Sequence, residues 1–401
     1  MKITGIKLYN HTVPGVQYYK GGERAVGPLD IYDEYNSNIR SKHMPMAMNG
    51  KNGQLTGAFI VITTDEGMEG VHGPLEYRAQ LLVAVEALSS HIKGRDPMEN
   101  RMMWDILSRF DRHSRSGIML MAISAVDIAL WDLKGKILGE PVYRLLGGGR
   151  SRIKAYASML AFPLELAEAK EAALMAKEKG FTAQKWFFRH GPASGKEGMR
   201  KNLELAFMLR ETLGDDYELM FDCWMGWSIS YALTIFKELE QVNPAWIEEV
   251  LKPHMLEGYR NLHANTAMPL SAGEHLYLRN ETMPYLQEGI LRVLQSDPEW
   301  CGGITEAMRI GDLCDIYGTT FIPHGNSVMP ALHVAACMPP DITPYSEFLL
   351  IYLEQHKEPY FDRRWLDNEG YIALNSNPGL GEDIDMEKLI HTEEIKSFEI
   401  Q

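Results

Sequence analysis

Hydrophobic and polar positions follow two patterns before about residue 140. KITGIKLYN, at the N-terminus, alternates as a half-buried strand does, and GAFIVITTDEGMEGVHG is typical of a hairpin that turns at Asp65 to Gly67. Apolar residues then return at helical spacing in three segments, near 78–93, 98–110 and 118–138. These patterns predict a separate α+β domain over residues 1–145.

Beyond the glycine run at 147–149, the pattern changes to units of strand, turn and helix, each about 25–35 residues long. The strand candidates are KAYASML, AQKWFF, ELMFD, AWIEE, PLSAGE, LRVLQSD, TTFIPH and PYSEF. The helix candidates between them include 164–179, 197–213 and 230–240. Repeated βα units of this length close into a barrel. We therefore expect an α/β fold in which residues 146–350 form a TIM-type barrel, residues 1–145 cap it, and residues 351–401 pack on the capping domain.

Composition and charge narrow the classes of function. The chain has 401 residues, of which 45% are hydrophobic, and this is enough for a large core. Its formal charge of −14, without any basic run, argues against nucleic acids and anionic membranes as partners. The longest apolar stretch, GIMLMAISAVDIALW, is too short to span a membrane and contains Asp127.

The cysteines and the N-terminus indicate a compartment. Four cysteines lack CxxC spacing and are too sparse for a disulfide framework: Cys223, Cys301, Cys314 and Cys337. The N-terminal MKITGIKLYN has no apolar signal core. We expect reduced thiols and a cytoplasmic protein.

Three acidic residues end short apolar runs at equal intervals. Asp222 ends ELMFD, Glu248 ends AWIE and Glu274 ends PLSAGE, so that successive acids lie 26 positions apart. Buried parallel strands bring their last residues to the open end of a barrel, where such barrels carry out chemistry. Because grouped acids raise one another's pKa, a hard divalent cation with oxygen ligands explains the cluster, and we expect Mg²⁺. For any single acid, the alternative is an N-cap of the following helix.

Motifs elsewhere in the chain agree with this arrangement. AISAVDIALWDLKGK at 122–136 and PVYRLLGG at 141–148 occur together with the three spaced acids and with Asp297 and His324, which lie 27 positions apart. In these motifs the whole chain resembles the enolase superfamily and, within it, the mandelate racemase group. The resemblance implies a (β/α)7β barrel with an N-terminal capping domain. It also implies removal of the proton beside a carboxylate, to give an enediolate that magnesium stabilises.

The resemblance also implies roles for individual residues. His324 would be the base, and Asp297 would fix its tautomer and favour its protonated form. Glu347, in PYSEF, matches the family position that hydrogen-bonds a substrate carboxylate oxygen, which requires it to be protonated or paired. Lys185 matches a family lysine and would act as a cation on the substrate carboxylate or the developing enolate. A satisfied core histidine and a solvated lysine are the structural alternatives.

The chain departs from the racemase pattern at the end of the second barrel strand. Racemases of this group carry Lys-x-Lys there, with the second lysine as the base on the opposite face, but this sequence has Lys185, Trp186 and Phe187. With His324 as the one remaining base, inversion at a carbon is hard to write, whereas loss of water can use one imidazole as base and then as acid. FDCWM, WCGGITE and PHGNSV resemble acid-sugar dehydratases of the group. We expect syn dehydration of a rhamnonate-like aldonate to a 2-keto-3-deoxy acid.

Loops over the barrel mouth supply candidate substrate contacts. Arg189, His190 and Trp300 are such candidates, although loops there also need turn and packing residues. Glu249 is expected to be structural, because strand alternation places it on the opposite face from Glu248.

A polar stretch from about 20 to 55 is long enough to be functional or disordered. We expect it to reach toward His324, since ligand sites collect between domains. Arg40 and His43 are the weaker candidates within it.

Two other functions stay open from the sequence. One is an epimerase or cycloisomerase of the same superfamily, and the other is a sugar-acid-binding sensor that kept the fold and lost catalysis. The missing second lysine gives the sensor some support, but the retained acids and His324 argue against it. A small-molecule carboxylate is the expected partner, with the metal supplying local positive charge to an acidic chain. A homo-oligomer is the expected assembly.

Overall fold

The computed structural model describes residues 1–22, 24–36, 53–75 and 83–395, so Arg40 and His43 lie outside the described residues. The first sheet has four antiparallel strands: β1 (Ile3–Pro14), β2 (Gln54–Thr64), β3 (Glu69–Leu75) and β13 (His391–Glu394). Their order is β13-β1-β2-β3. The predicted hairpin is confirmed, because β2 and β3 pair across a turn at 65–67. A strand from the C-terminal segment, β13, completes this sheet beside β1.

The helices of the N-terminal part are Asp33–Asn36, Ser89–Ile92, Asn100–Arg109, Gly117–Leu138 and Val142–Leu145, with a π-helical turn at Ala84–Leu88. Gly117–Leu138 is apolar on nearly all sides, because it packs between the first sheet and the helices of the second. Asp132 on this helix accepts a hydrogen bond from Val71 N of β3 at 2.8 Å. This carboxylate therefore ties the helix to the sheet.

The second sheet is parallel along its main path. Its strands are β4 (Arg152–Ser158), β5 (Ala183–Phe187), β6 (Glu218–Asp222), β7 (Ile247–Glu248), β8 (Leu270–Ala272), β9 (Val293–Leu294), β10 (Thr320–Phe321) and β11 (Ser346–Leu349). The order is β10-β9-β8-β7-β6-β5-β4-β11, and β12 (Tyr371–Ala373) pairs antiparallel with β4. Each of the eight predicted strand segments overlaps one of these parallel strands, although several strands are shorter than predicted.

Helices alternate with these strands, as the βα pattern predicts. Their bounds are Leu166–Glu178, Gly195–Leu213, Ile229–Leu239, Leu256–Asn265, Leu278–Gln287, Gly303–Tyr317, Val328–Ala335 and Leu350–Tyr352, the last followed by a π-helical turn at Leu353–Lys357. Short 3-10 turns lie at Pro28–Ile31, Pro192–Ser194, Glu240–Val242 and Glu358–Tyr360. Within the described ranges, no helix is both long and apolar enough to cross a membrane.

Side chains from distant strands meet inside the second sheet. Tyr156 of β4 lies with its ring centroid 5.7 Å from that of Trp246, which precedes β7, and Gln295 after β9 donates a hydrogen bond to the Tyr156 hydroxyl at 3.3 Å. Contacts between strands that are not neighbours require a strongly curled sheet. Among the described residues, no strand pairing joins β10 to β11. The seam is bridged instead by Phe321 N, which donates to Ile342 O at 2.8 Å.

Candidate active site

The parallel strands deliver the predicted metal ligands to one end of the sheet. Asp222 and Glu248 are the last residues of β6 and β7 and are direct register partners. Glu274 follows β8 by two residues. All three side chains are buried. Acids that are buried side by side need compensating positive charge.

A buried lysine supplies part of that charge. Lys185 of β5 donates a hydrogen bond to Glu248 Oε1, and its Nζ lies 2.8 Å from Glu347 Oε1 and 3.5 Å from Asp222 Oδ2. Burial alone would lower the pKa of Lys185, but Glu248 and Glu347 outweigh it and raise that pKa well above its ordinary value. Lys185 therefore stays positively charged between these acids.

The three acids match a divalent cation in the type of ligand atom that they offer. Carboxylate oxygens are the ligands that Mg²⁺ prefers, and they are offered here by Asp222, Glu248 and Glu274. The single positive charge of Lys185 is less than the negative charge of these acids. Burial and the neighbouring Glu248 raise the pKa of Asp222 well above its ordinary value, even though Lys185 opposes the shift. Such a shift indicates that the acids lack sufficient positive charge nearby. A bound divalent cation would provide it.

His324 and Asp297 form a hydrogen-bonded pair at the same end of the sheet. Asp297 lies three residues beyond β9, and His324 lies three residues beyond β10. Because β9 and β10 are neighbouring strands, the two side chains lie close together. His324 Nδ1 is 2.6 Å from Asp297 Oδ2. Because a carboxylate accepts, this contact places the proton on Nδ1 and turns Nε2 toward the acids. Nε2 lies 3.2 Å from Glu274 Oε2 and 3.8 Å from Glu347 Oε2.

A glycine allows the His324 loop to approach β11. Gly325 N donates a hydrogen bond to Glu347 Oε2 at 3.1 Å. A Cβ atom at position 325 would lie 2.6 Å from the backbone oxygen of Glu347, so a side chain there would force the loop away. The sequence PHGNS therefore holds His324 next to Glu347.

Neighbouring charges shift the pKa of both groups. Burial alone would lower the pKa of His324, but Glu274, Glu347 and the hydrogen bond to Asp297 outweigh it and raise that pKa well above its ordinary value. Burial would raise the pKa of Glu347, yet Lys185 and His324 lower it to about 2. Of the two states expected for Glu347, protonated or paired, these contacts favour the paired one.

Aromatic side chains border the imidazole. The ring centroid of Trp300 lies 5.1 Å from that of His324 and 5.4 Å from that of His275. Trp300 therefore lines the site beside both histidines. Sequence reasoning missed His275, although its position directly after Glu274 in GEH was an available signal.

Strand alternation predicted that Glu249 points away from the site, but its side chain lies beside His275 and Glu274. Its Oε1 lies 2.8 Å from His275 Nδ1, and Glu249, Glu274 and His275 offer ligand atoms within 4.8 Å of one another. The prediction fails because Glu249 has a φ of 43°, which turns the chain directly after β7 and ends the alternation. These residues form a second candidate ligand set that shares Glu274 with the first.

Arg189 and His190 lie on the loop after β5. Arg189 Nη2 donates to Asn36 O at 3.0 Å, and its Nη1 lies 3.5 Å from Asp30 Oδ2. His190 Nδ1 is 3.3 Å from Ser194 Oγ, and burial lowers the pKa of His190 to about 4. The described part of the polar N-terminal stretch therefore reaches the carboxyl end of β5.

Phe187 occupies the position where the racemase pattern has its second lysine. It is the last residue of β5 and the register partner of Asp222. Lys185 Nζ lies 5.5 Å from the centroid of its ring, so the two side chains lie on one face. The buried phenyl ring has no proton to transfer.

Two family models match the chain. "Enolase C-terminal domain-like" matches residues 167–388, and "Mandelate racemase / muconate lactonizing enzyme, N-terminal domain" matches residues 35–147. An L-rhamnonate dehydratase from Saccharopolyspora erythraea is 31% identical over 397 residues, which are 95% of this chain and 96% of that protein.

Solved structures show the same likeness. The crystal structure of L-rhamnonate dehydratase from Gibberella zeae is 25% identical, has a TM-score of 0.80, and is matched over 97% of this chain and 96% of that one. A structure of rhamnonate dehydratase from the same organism, complexed with Mg, is also 25% identical, with a TM-score of 0.78 and coverage of 96% and 95%.

Proposed function

Because the chain belongs to the mandelate racemase group of the enolase superfamily, we propose that it is a magnesium-dependent hydro-lyase that dehydrates a sugar acid. Its substrate would be a rhamnonate-like aldonate, and its product a 2-keto-3-deoxy acid. The L-rhamnonate dehydratases described above support this choice. The observation that carries the proposal is the His324–Asp297 pair beside the buried acids, with Phe187 in place of a second base.

Asp222, Glu248 and Glu274 would hold the cation, and the Mg complex of the Gibberella zeae protein supports magnesium. When bound, Mg²⁺ supplies positive charge that stabilises the dianion formed as the substrate loses its C2 proton. Lys185 adds a second, permanent positive charge on the same side.

His324 would transfer both protons of the reaction. Its Nε2 takes the proton from C2, and the electron pair of the C2–H bond passes into the enediolate. That pair then forms the C2=C3 bond as the C3–O bond breaks, and Nε2 returns its proton to the departing hydroxyl as water. The resulting enol takes a proton at C3 from solvent and releases its hydroxyl proton to become the 2-keto acid. Because one imidazole acts in both steps, the elimination is syn.

The remaining residues would bind and orient the substrate. Glu347 would contact a substrate carboxylate oxygen, and its pairing with Lys185 and His324 would offset the repulsion between the two carboxylates. Lys185 would lie beside it as the compensating cation. Trp300 would pack against the sugar acid, and Arg189 and His190 stay candidate contacts on the loop after β5.

We also propose the finer architecture. The curled parallel sheet would be the (β/α)7β barrel of the family, with residues 146–350 as the catalytic domain, 1–145 as the cap and 351–401 packing on it. The pairing of β13 with β1 supports the last point. We propose a homo-oligomer as the assembly.

A panel of aldonates tests the proposed reaction. Purified protein with magnesium chloride is incubated with L-rhamnonate and its C2, C3 and C4 epimers, and 2-keto acid formation is measured after reaction with semicarbazide. We expect one configuration at C2 and C3 to be dehydrated, because syn elimination by a fixed imidazole needs one arrangement of the departing groups. Absence of 2-keto acid from every aldonate tested would contradict the proposal.

The epimerase alternative has one observation in its favour. His275 is a second histidine at this end of the sheet and pairs with Glu249 at 2.8 Å. If His275 acts as a second base, recovered substrate will carry solvent deuterium at C2 with inverted configuration. We expect no inversion, because Phe187 replaces the base on the opposite face.

A further inference from the structure

A buried acid next to the catalytic pair has no part in the proposed chemistry. Glu299 lies two residues beyond Asp297, on the loop after β9, and its side chain is 1% exposed. Burying a carboxylate is unfavourable unless it is paired, so its partners indicate its role.

Glu299 joins the Asp297 loop to the His324 loop. Asn326 Nδ2 donates a hydrogen bond to Glu299 Oε2 at 2.5 Å, and Asn326 lies two residues beyond His324. The Glu299–Asn326 contact therefore runs alongside the His324–Asp297 contact. Glu299 N also donates to Asp297 Oδ1 at 2.6 Å, so Glu299 touches both loops directly.

The other carboxylate oxygen faces two distant parts of the chain. Glu299 Oε1 lies 3.0 Å from His72 Nε2 on β3 and 3.7 Å from Lys357 Nζ in the turn after β11. Both partners are buried. Burial would raise the pKa of Glu299, but Lys357 and His72 outweigh it and lower that pKa to about 2, so the group is ionised. One carboxylate thus connects the first sheet, the C-terminal segment and the catalytic loops.

We propose that Glu299 is a positioning residue for the His324–Asp297 pair, acting on His324 through Asn326 and anchored to the first sheet through His72. The inference rests on the proposed function, in which His324 transfers the protons. Loss of Glu299 would therefore change the placement of the imidazole and leave the contacts with substrate in place. Misplacement by about 1 Å can lower a rate by about 100-fold.

Two variants test this role, each by changing one partner of the Glu299–Asn326 hydrogen bond. Glu299→Gln removes the charge that faces His72 and Lys357, and Asn326→Ala removes the link to the His324 loop while leaving those charges paired. We expect kcat for L-rhamnonate, or for the best aldonate of the panel, to fall about 10- to 100-fold in each variant. KM should change less than about threefold, since substrate contacts stay. The double variant should lose little more than the worse single variant, because both act through one contact.

Asp132→Asn is the matched control. Asp132 is also a buried acid that ties β3 to the C-terminal segment, through Val71 N at 2.8 Å and Leu380 N at 2.9 Å. Within the part of the chain that the structure describes, its hydrogen bonds do not involve either catalytic loop. We expect this variant to unfold at a lower temperature and to keep the kcat of the folded enzyme. If Glu299→Gln does not fold, Asn326→Ala decides the question.

Crystal structures of the variants separate this inference from the proposed function, because they need no substrate. We expect the His324 Nδ1–Asp297 Oδ2 distance of 2.6 Å to lengthen, or the imidazole to occupy more than one position, in Asn326→Ala. An undisturbed pair in that variant, or wild-type kcat in the folded protein, would overturn the role of Glu299. Wild-type activity in His324→Asn would instead overturn the proposed function.

Discussion

Replacement of His324 by asparagine is expected to abolish dehydration and C2 proton exchange together. Both steps pass through His324 Nε2, which lies beside Glu274 and Glu347, and asparagine offers no group that can accept a proton there. Metal and substrate should still bind, since their other contacts stay. Dehydration is followed by 2-keto acid formation, and exchange by the loss of the C2 proton signal of the substrate in D2O.

His263→Asn provides the control for this experiment. His263 is an exposed histidine on Leu256–Asn265, so the same chemical change there should leave both rates unaltered. If His324→Asn still exchanged the C2 proton but did not dehydrate, another group would be the base and His324 only the acid. Asp297→Asn should also be severe, with a loss of about 10⁴ in rate, because an amide no longer enforces the proton on Nδ1.

Loss of a metal ligand is the second large effect. Asp222→Asn, Glu248→Gln and Glu274→Gln should each lower kcat by about 10³-fold or more, since a Lewis acid contributes several kcal/mol to stabilising a developing anion. Magnesium should also raise the unfolding temperature of the wild type, because a ligand that binds the folded state stabilises it. The same measurement should show no magnesium effect in Asp222→Asn and Glu248→Gln.

Glu249→Gln distinguishes the two candidate ligand sets. Glu249 belongs to the set with His275 and Glu274, but not to the set with Asp222. We expect magnesium to stabilise Glu249→Gln against unfolding as it stabilises the wild type. The reverse result, in which Glu249→Gln loses the magnesium effect and Asp222→Asn keeps it, would move the cation to the Glu249 set.

The positions of the site residues along the chain were predictable because a buried strand must end where its apolar run ends. ELMFD is β6 as predicted, and Asp222 is its last residue. AWIEE contributes only Ile247–Glu248 to β7, because the chain turns at Glu249, whose φ is 43°. The shorter strand still leaves Glu248 at its end.

Contacts between distant strands were not predictable from local pattern. Lys185 and Glu347 were each singled out, but their separation of 2.8 Å depends on how β4, β5 and β11 curl. The φ of Glu249 reversed the direction expected for its side chain. Glu299 and His72 are more than two hundred residues apart, and the packing of the first sheet on the loops of the second brings them together.

The measurement that tests the central claim most directly is the NMR spectrum of the reaction with L-rhamnonate and magnesium in D2O. The proposed mechanism predicts a 2-keto-3-deoxy acid that carries one solvent deuterium at C3, because the enol takes its proton there from solvent. Recovered substrate should keep its C2 configuration, since His324 acts on one face and Phe187 has no proton to give. Accumulation of the C2 epimer without any keto-deoxy acid would contradict the account.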